Sequence, residues 1–267
     1  MKIKRSLLSA LLALLSLNTC LAADPTLYFF FEDNADPAVP TNSGVAPFAL
    51  SYLGDSHQST AEAKFGKGSM LIGEKKGDLT ILGQAFGLAS KPSAFNGAIH
   101  KMTITAWVRA IENPESPKNC LSPGFNIMGR YSAHGPGPGS FMLSFAYDAL
   151  QFDYYSEGSK KVESFRSLPI RYVEANVWTQ MAVTFDEGKV VFYFNGIASG
   201  DADGTPLKAT VISEATVGSL FAGFTNLRTG GYVDDVGVLI GRALTEEEIE
   251  KVYNTGLENF IKNSPGK

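Results

Sequence analysis

Val177 to Gly196, VWTQMAVTFDEGKVVFYFNG, carries the clearest alternation of apolar and polar positions in the chain. Two arms rich in Val, Thr, Phe and Tyr flank Asp186-Glu187-Gly188, and Asn195-Gly196 closes the second arm. Such residues suit a pleated, half-buried surface, and Asn-Gly favours a turn because both residues tolerate positive φ. The stretch predicts strand, tight turn, strand. Met102 to Ala110, MTITAWVRA, predicts another strong strand. Met102, Ile104, Ala106 and Val108 share one face, while Thr103, Thr105, Trp107 and Arg109 share the other.

The same reading predicts strands over Leu27–Phe31, Pro47–Leu53, Leu79–Leu82, Asn126–Arg130, Val162–Ile170, Thr210–Val217, Ser219–Phe224 and Tyr232–Ile240. A short strand reaching Ile72 follows the glycine-bracketed Lys64–Gly68, and a second hairpin joins Phe141–Tyr147 to Leu150–Tyr155. Gly83–Gly97 reads as a loop. One helix is predicted. Thr245 is its N-cap and Glu248 its N3 residue, a capping box, with Glu246 and Glu247 adding negative charge to the first turn. Ile249, Val252 and Tyr253 form its apolar face, Gly256 ends it, and the residues from Asn259 read as a frayed tail.

The amino terminus has a different pattern. Lys2, Lys4 and Arg5 precede an apolar run, Leu7–Leu17, too short to span a bilayer, and Cys20-Leu21-Ala22 follows. This predicts a signal peptide over residues 1–22, cleaved after Ala22, and hence export to the periplasm, cell surface or extracellular space. The alternatives are an uncleaved anchor and a lipoprotein acylated at Cys20. Thr19 fits a lipobox poorly. No later apolar stretch is long enough to cross a membrane.

Composition narrows the chemistry. A net charge of −4 over 267 residues gives no basic field for nucleic acid or anionic lipid. His57, His100 and His134 lie far apart and show no metal-ligand spacing. Loss of Cys20 with the signal peptide would leave Cys120 without an intrachain partner, so the core and not a disulfide must hold the fold. Cys120 has no local histidine to activate it as a nucleophile. Glu32, Asp33 and Asn34 could supply oxygens to Ca²⁺ or form a solvated turn. Asp234 and Asp235 interrupt an apolar run, where carboxylates need either a metal or backbone donors at a sheet edge.

Lys64–Gly68, Met102–Val108 with Trp107, Trp178–Asp186, Val190–Gly196, and Asp234-Asp235 leading into Arg242-Ala243-Leu244-Thr245-Glu246-Glu247-Glu248-Ile249 occur in that order. This series resembles the bacterial LamG-like domains of the laminin G / concanavalin A-like lectin–glucanase superfamily. The resemblance covers about Leu27 to Gly256. It implies an all-β, two-sheet antiparallel jelly-roll sandwich with one short C-terminal helix. The domain would occupy residues 23–258, with 259–267 as a tail. It also implies that the first and last strands are neighbours. Glu32, Asp33 and Asn34 would then approach Asp234 and Asp235, where members of the superfamily often hold one structural Ca²⁺.

The superfamily contains glycosidases and lyases, but the E-x-D-x-x-E element of the former and the Q-x-H element of the latter are absent from this sequence. The expectation is therefore a secreted, non-catalytic binding module, lectin-like, with a glycan as its partner. A protein-binding adhesion module is the alternative, and a cryptic hydrolase or lyase the third reading. Tyr131, Tyr154, Tyr155 and Tyr193 are candidate sugar platforms, with His134 at a nearby loop tip, although a sandwich core also needs aromatic rings. Trp178 reads as a core anchor.

Overall fold

The computed structural model describes residues 26–29, 31, 50–51, 57–73, 87–88, 96–112, 118, 120, 124–130, 141–156, 161–205, 207–211 and 231–264. The predicted signal peptide and the strands expected at Leu79–Leu82 and Ser219–Phe224 lie outside these residues. The described chain forms the expected two antiparallel sheets.

In the larger sheet, β14 (Ile197–Asp203) pairs with β13 (Lys189–Phe194), then β12 (Thr179–Asp186), β7 (Lys101–Ala110) and β16 (Gly231–Ile240). The far side of β16 is shared. Its residues 231–233 pair with β4 (Ser69–Gly73), which pairs with β3 (His57–Ser59), while residues 236–239 pair with β1 (Thr26–Phe29). The first and last strands are thus neighbours, as expected. The smaller sheet has the order β11 (Lys161–Arg166), β10 (Ala149–Ser156), β9 (Phe141–Ala146) and β8 (Gly124–Arg130). Two short pairs complete the strands: β15 (Leu207–Val211) with β6 (Asn96–Ile99), and β2 (Leu50–Ser51) with β5 (Gly87–Leu88).

The alternation in β7 sorts its side chains as predicted. Met102, Ile104, Ala106 and Val108 enter a core shared with Phe141, Leu143, Phe145, Leu150 and Phe152 of the smaller sheet. Cys120 is buried in the same cluster. The opposite face of the larger sheet builds a second, smaller core under two helices, α1 (Glu246–Thr255) and α2 (Leu257–Asn263). The capping box is present at Thr245 and Glu248.

The expected tail is a correction. Residues Leu257–Asn263 form α2, with Leu257 and Phe260 buried. Docking supplies what so short a sequence lacks in intrinsic helix stability. The Leu257 amide donates to Asp235 Oδ2 at 2.7 Å, and a Cβ on Gly237 would run into the Leu257 side chain. Asn195-Gly196 forms the expected turn, with φ of 51° and 79°, and leads into β14, a strand that the sequence pattern does not predict. The strand expected to reach Ile170 stops at Arg166, and the expected loop over Gly83–Gly97 includes β5 and the start of β6. No helix among the described residues is long and apolar enough to cross a membrane.

Candidate functional site

The buried carboxylates sit where β16 changes partner. The pairing of β16 with β7 shifts register between Asp234 and Gly237, and Asp235 has a φ of 49°. The two side chains collect amides that no ladder serves: those of the 64–65 bend, of Asp235 at the register shift, and of Leu257 at the start of α2. Asp234 Oδ2 accepts from the amides of Lys64 (2.7 Å) and Phe65 (3.2 Å), and its Oδ1 from that of Asp235 (2.7 Å). Asp235 Oδ2 accepts from Leu257. Burial raises the Asp234 carboxyl to about 7, against the pull of the Lys64 and Phe65 amides. These oxygens pin the 64–65 segment and α2 to the sheet. Among the described residues no group of three or more His, Cys, Asp or Glu could hold a metal ion. Glu32, Asp33 and Asn34 lie outside the described residues.

One rung further along the same face lies a more open arrangement. Register places Gln180, Trp107 and Asp234 side by side on β12, β7 and β16. The next outward-facing rung holds Arg109 and Tyr232, which are register partners, and Trp178, which immediately precedes β12. Trp178 and Tyr232 are both half-buried, with ring centroids 6.5 Å apart. Arg109 is fixed beside them. Its Cζ lies 5.5 Å from the Tyr232 centroid, its Nη2 is 3.3 Å from Glu62 Oε1, and its Nε donates to the Asn176 carbonyl at 3.1 Å. The Trp107 rung is sealed instead. Tyr253 stacks on Trp107 at 5.2 Å, Phe65 meets it edge-on at 5.8 Å, and Lys64 Nζ lies 4.0 Å from its ring. Burial lowers the Lys64 pKa. Trp107 Nε1 and Gln180 Oε1 are buried without a hydrogen-bond partner among the described residues.

This arrangement offers apolar ring faces beside a tethered guanidinium. The rings can lie against the C–H face of a flat, hydroxylated ligand, and guanidinium N–H groups donate to oxygen acceptors in a fixed geometry.

The residues proposed from sequence are not gathered at one place. Tyr154 is 1% exposed, packs on Phe165 and Phe185, and donates from its hydroxyl to the Thr205 carbonyl and Glu163. Burial and the Glu163 charge push its pKa up. It is a core residue, which corrects its proposed role. Tyr193 is also corrected: at 4% exposure it belongs to the core beneath the helices. Tyr155 is half-buried, opposite Val162 on the smaller sheet. Tyr131 and His134 lie outside the described residues. Trp178, read from sequence as a core anchor, is half-buried and outward-facing. Tyr232 and Glu62 were not singled out, because only long-range register brings them to Arg109.

Residues 69–250 match a laminin G-type family described as the concanavalin A-like lectin/glucanases superfamily. No curated protein matches the sequence. Among solved structures, the chain is similar to the binding domain of Paraclostridial Mosquitocidal Protein 1, at 14% identity and TM-score 0.62, covering 86% of this chain and 52% of that one. It is similar to the botulinum neurotoxin serotype D ligand binding domain in complex with N-acetylneuraminic acid, at 12% identity and TM-score 0.60, covering 86% and 50%. The botulinum neurotoxin serotype G binding domain gives 13% identity and TM-score 0.59, covering 85% and 50%. The chain therefore spans about half the length of each of these structures.

Proposed function

We propose that this chain, which belongs to the concanavalin A-like lectin/glucanases superfamily, is an exported, non-catalytic module that binds a glycan across Trp178, Arg109 and Tyr232. The observation that carries the reading is the pair of half-buried rings, 6.5 Å apart, on an outward sheet face with a tethered guanidinium between their strands. A pyranose presents an apolar face and a polar rim, and this surface offers a partner for each. One of the similar structures was solved with N-acetylneuraminic acid. It serves as a precedent for sugar binding by a chain containing this fold.

A glycan array with wild-type protein, W178A and Y232A tests the proposal. Wild type is expected to retain a defined set of glycans that both variants lose while keeping their thermal melts. Retention of the same set by W178A would remove this face from the site. A protein-binding role draws on another surface, where Leu168 and Tyr172 are 64% and 60% exposed. Pull-down lost on L168D but kept by W178A would favour that role. Release of reducing ends from polysaccharide, abolished by a carboxylate substitution, would support the hydrolase reading.

A further inference from the structure

Tyr253, which seals Trp107, also lines a cleft of about 420 Å³ between α1 and the β13–β14 turn. One wall is a single helix face. Glu246, Glu250, Tyr253 and Asn254 follow at offsets of 0, 4, 7 and 8 residues, which places them along one stripe of an α-helix. The other wall is Asn195, Gly196 and Ile197. Gly196, at φ 79°, lets the turn close on the helix: a Cβ there would stand 3.0 Å from Cβ and Cγ of Tyr253. Asn195 is held by its Oδ1, which accepts from the Gln180 amide at 2.9 Å. Its NH₂ remains as a donor. Tyr253 is braced by Trp107 beneath it. The cleft is thus built on a stacked aromatic pair and a locked turn.

Its charge is one-sided. Glu246 and Glu250 are exposed and form no ion pair among the described residues, and the last turn of α1 contributes no basic residue. Carboxylates four residues apart on a helix stand about 5–6 Å apart at Cβ, close enough for one ammonium group to bond to both. The same pair repels phosphate, sulfate and carboxylate ligands. The Tyr253 ring supplies an apolar surface beside them, and the amides of Asn195 and Asn254 supply hydrogen-bonding groups for hydroxyls.

We propose that this cleft binds an amino sugar whose nitrogen is unacetylated and charged, with the ammonium between Glu246 and Glu250 and the pyranose against Tyr253. The cleft is lined by none of Trp178, Arg109 and Tyr232, and the inference does not depend on that face binding sugar.

The test uses the full chain with two probes, a glucosamine tetramer and its fully N-acetylated counterpart, in calorimetric titrations. The glucosamine tetramer is expected to bind at least about tenfold more tightly, with the preference shrinking as salt rises. E246Q/E250Q is expected to abolish the preference with little change in the thermal melt, because the capping residue Glu248 is untouched and the lost first-turn charge of Glu246 is offset by relief of its repulsion with Glu250. W178A is expected to keep it, which separates this proposal from the fate of the glycan-face reading. Equal binding of the two tetramers, no binding at millimolar concentration, or a preference that survives E246Q/E250Q would each overturn the assignment.

Discussion

The chain has two tryptophans, on adjacent outward-facing rungs of the same sheet face, and they meet opposite fates. Trp107 is 1% exposed beneath Tyr253, Phe65 and Lys64, while Trp178 stays half-buried beside Tyr232. The strands do not distinguish them. The cover does. α1 brings Tyr253 over one rung, Asp234 ties the 64–65 segment beside it, and neither reaches the next. The same residue type therefore serves packing in one place and is offered to a ligand in the other. The difference is decided by elements distant in sequence.

The largest test of this contrast is stability. W107A is expected to cost about 3–5 kcal/mol in urea unfolding, as truncation of a large buried aromatic does, whereas W178A is expected to cost less than about 1 kcal/mol because its ring is partly solvated already. Similar costs would erase the distinction.

The next test is pH. Asp234 shares the sealed rung and titrates near 7 when folded, above its ordinary 3.8. Between those values the folded state holds a proton that the unfolded chain has released. The stability that Asp234 contributes is therefore fully present below about pH 4 and declines as pH rises towards 7, by an amount on the order of a few kcal/mol. D234N is expected to flatten this slope in chemical denaturation measured from pH 4 to 8. The same variant bears on calcium. Since Asp234 already serves three amides, any calcium-dependent, chelator-reversible rise in Tm is expected to survive D234N. A rise abolished by D234N would return Asp234 to the ligand set.

The cover itself can be loosened. G237A places a methyl group against Leu257 and is expected to destabilise by about 1–3 kcal/mol, as overpacking does. Intrinsic fluorescence should then show Trp107 gaining access to a soluble quencher. The last expected effect is functional. W178A should weaken glycan binding by about tenfold, which is about 1.4 kcal/mol, with little change in Tm.

The sequence made the framework legible where local pattern and tertiary place agree. The hairpin of β12 and β13, the two faces of β7 and the capping box at Thr245 all follow from short-range rules. β14 was not legible, because IASGDAD lacks strand propensity and is ordered by pairing with β13. Nor was α2, whose two buried side chains matter only once Gly237 makes room and Asp235 takes the Leu257 amide. The candidate site was half legible. The alternation groups Arg109 with Trp107 on one face of its strand, and Asp234-Asp235 reads as needing backbone donors or a metal. The backbone donors proved to be at a register shift in an interior strand and not at a sheet edge. Tyr154 and Tyr193 were proposed because an aromatic residue in a strand looks the same whichever face is covered. Tyr232 was missed because the rung it completes spans three strands far apart in the chain.

At the other end of the larger sheet's order, β14 has no further strand beside it among the described residues. Its outer side is partly covered all the same: the Leu168 amide donates to the Ser199 carbonyl at 2.8 Å, and a Cβ on Gly200 would stand 3.0 Å from that amide nitrogen. An uncovered edge is a template on which a second molecule can add. This edge carries its own deterrent. Asp201 and Asp203 stand exposed along it, and the pairing behind it is distorted between Val191 and Tyr193. Two copies approaching edge to edge would bring four carboxylates together across an uneven rim. The strand that local sequence hid therefore closes the sheet with an edge that is both partly covered and charged.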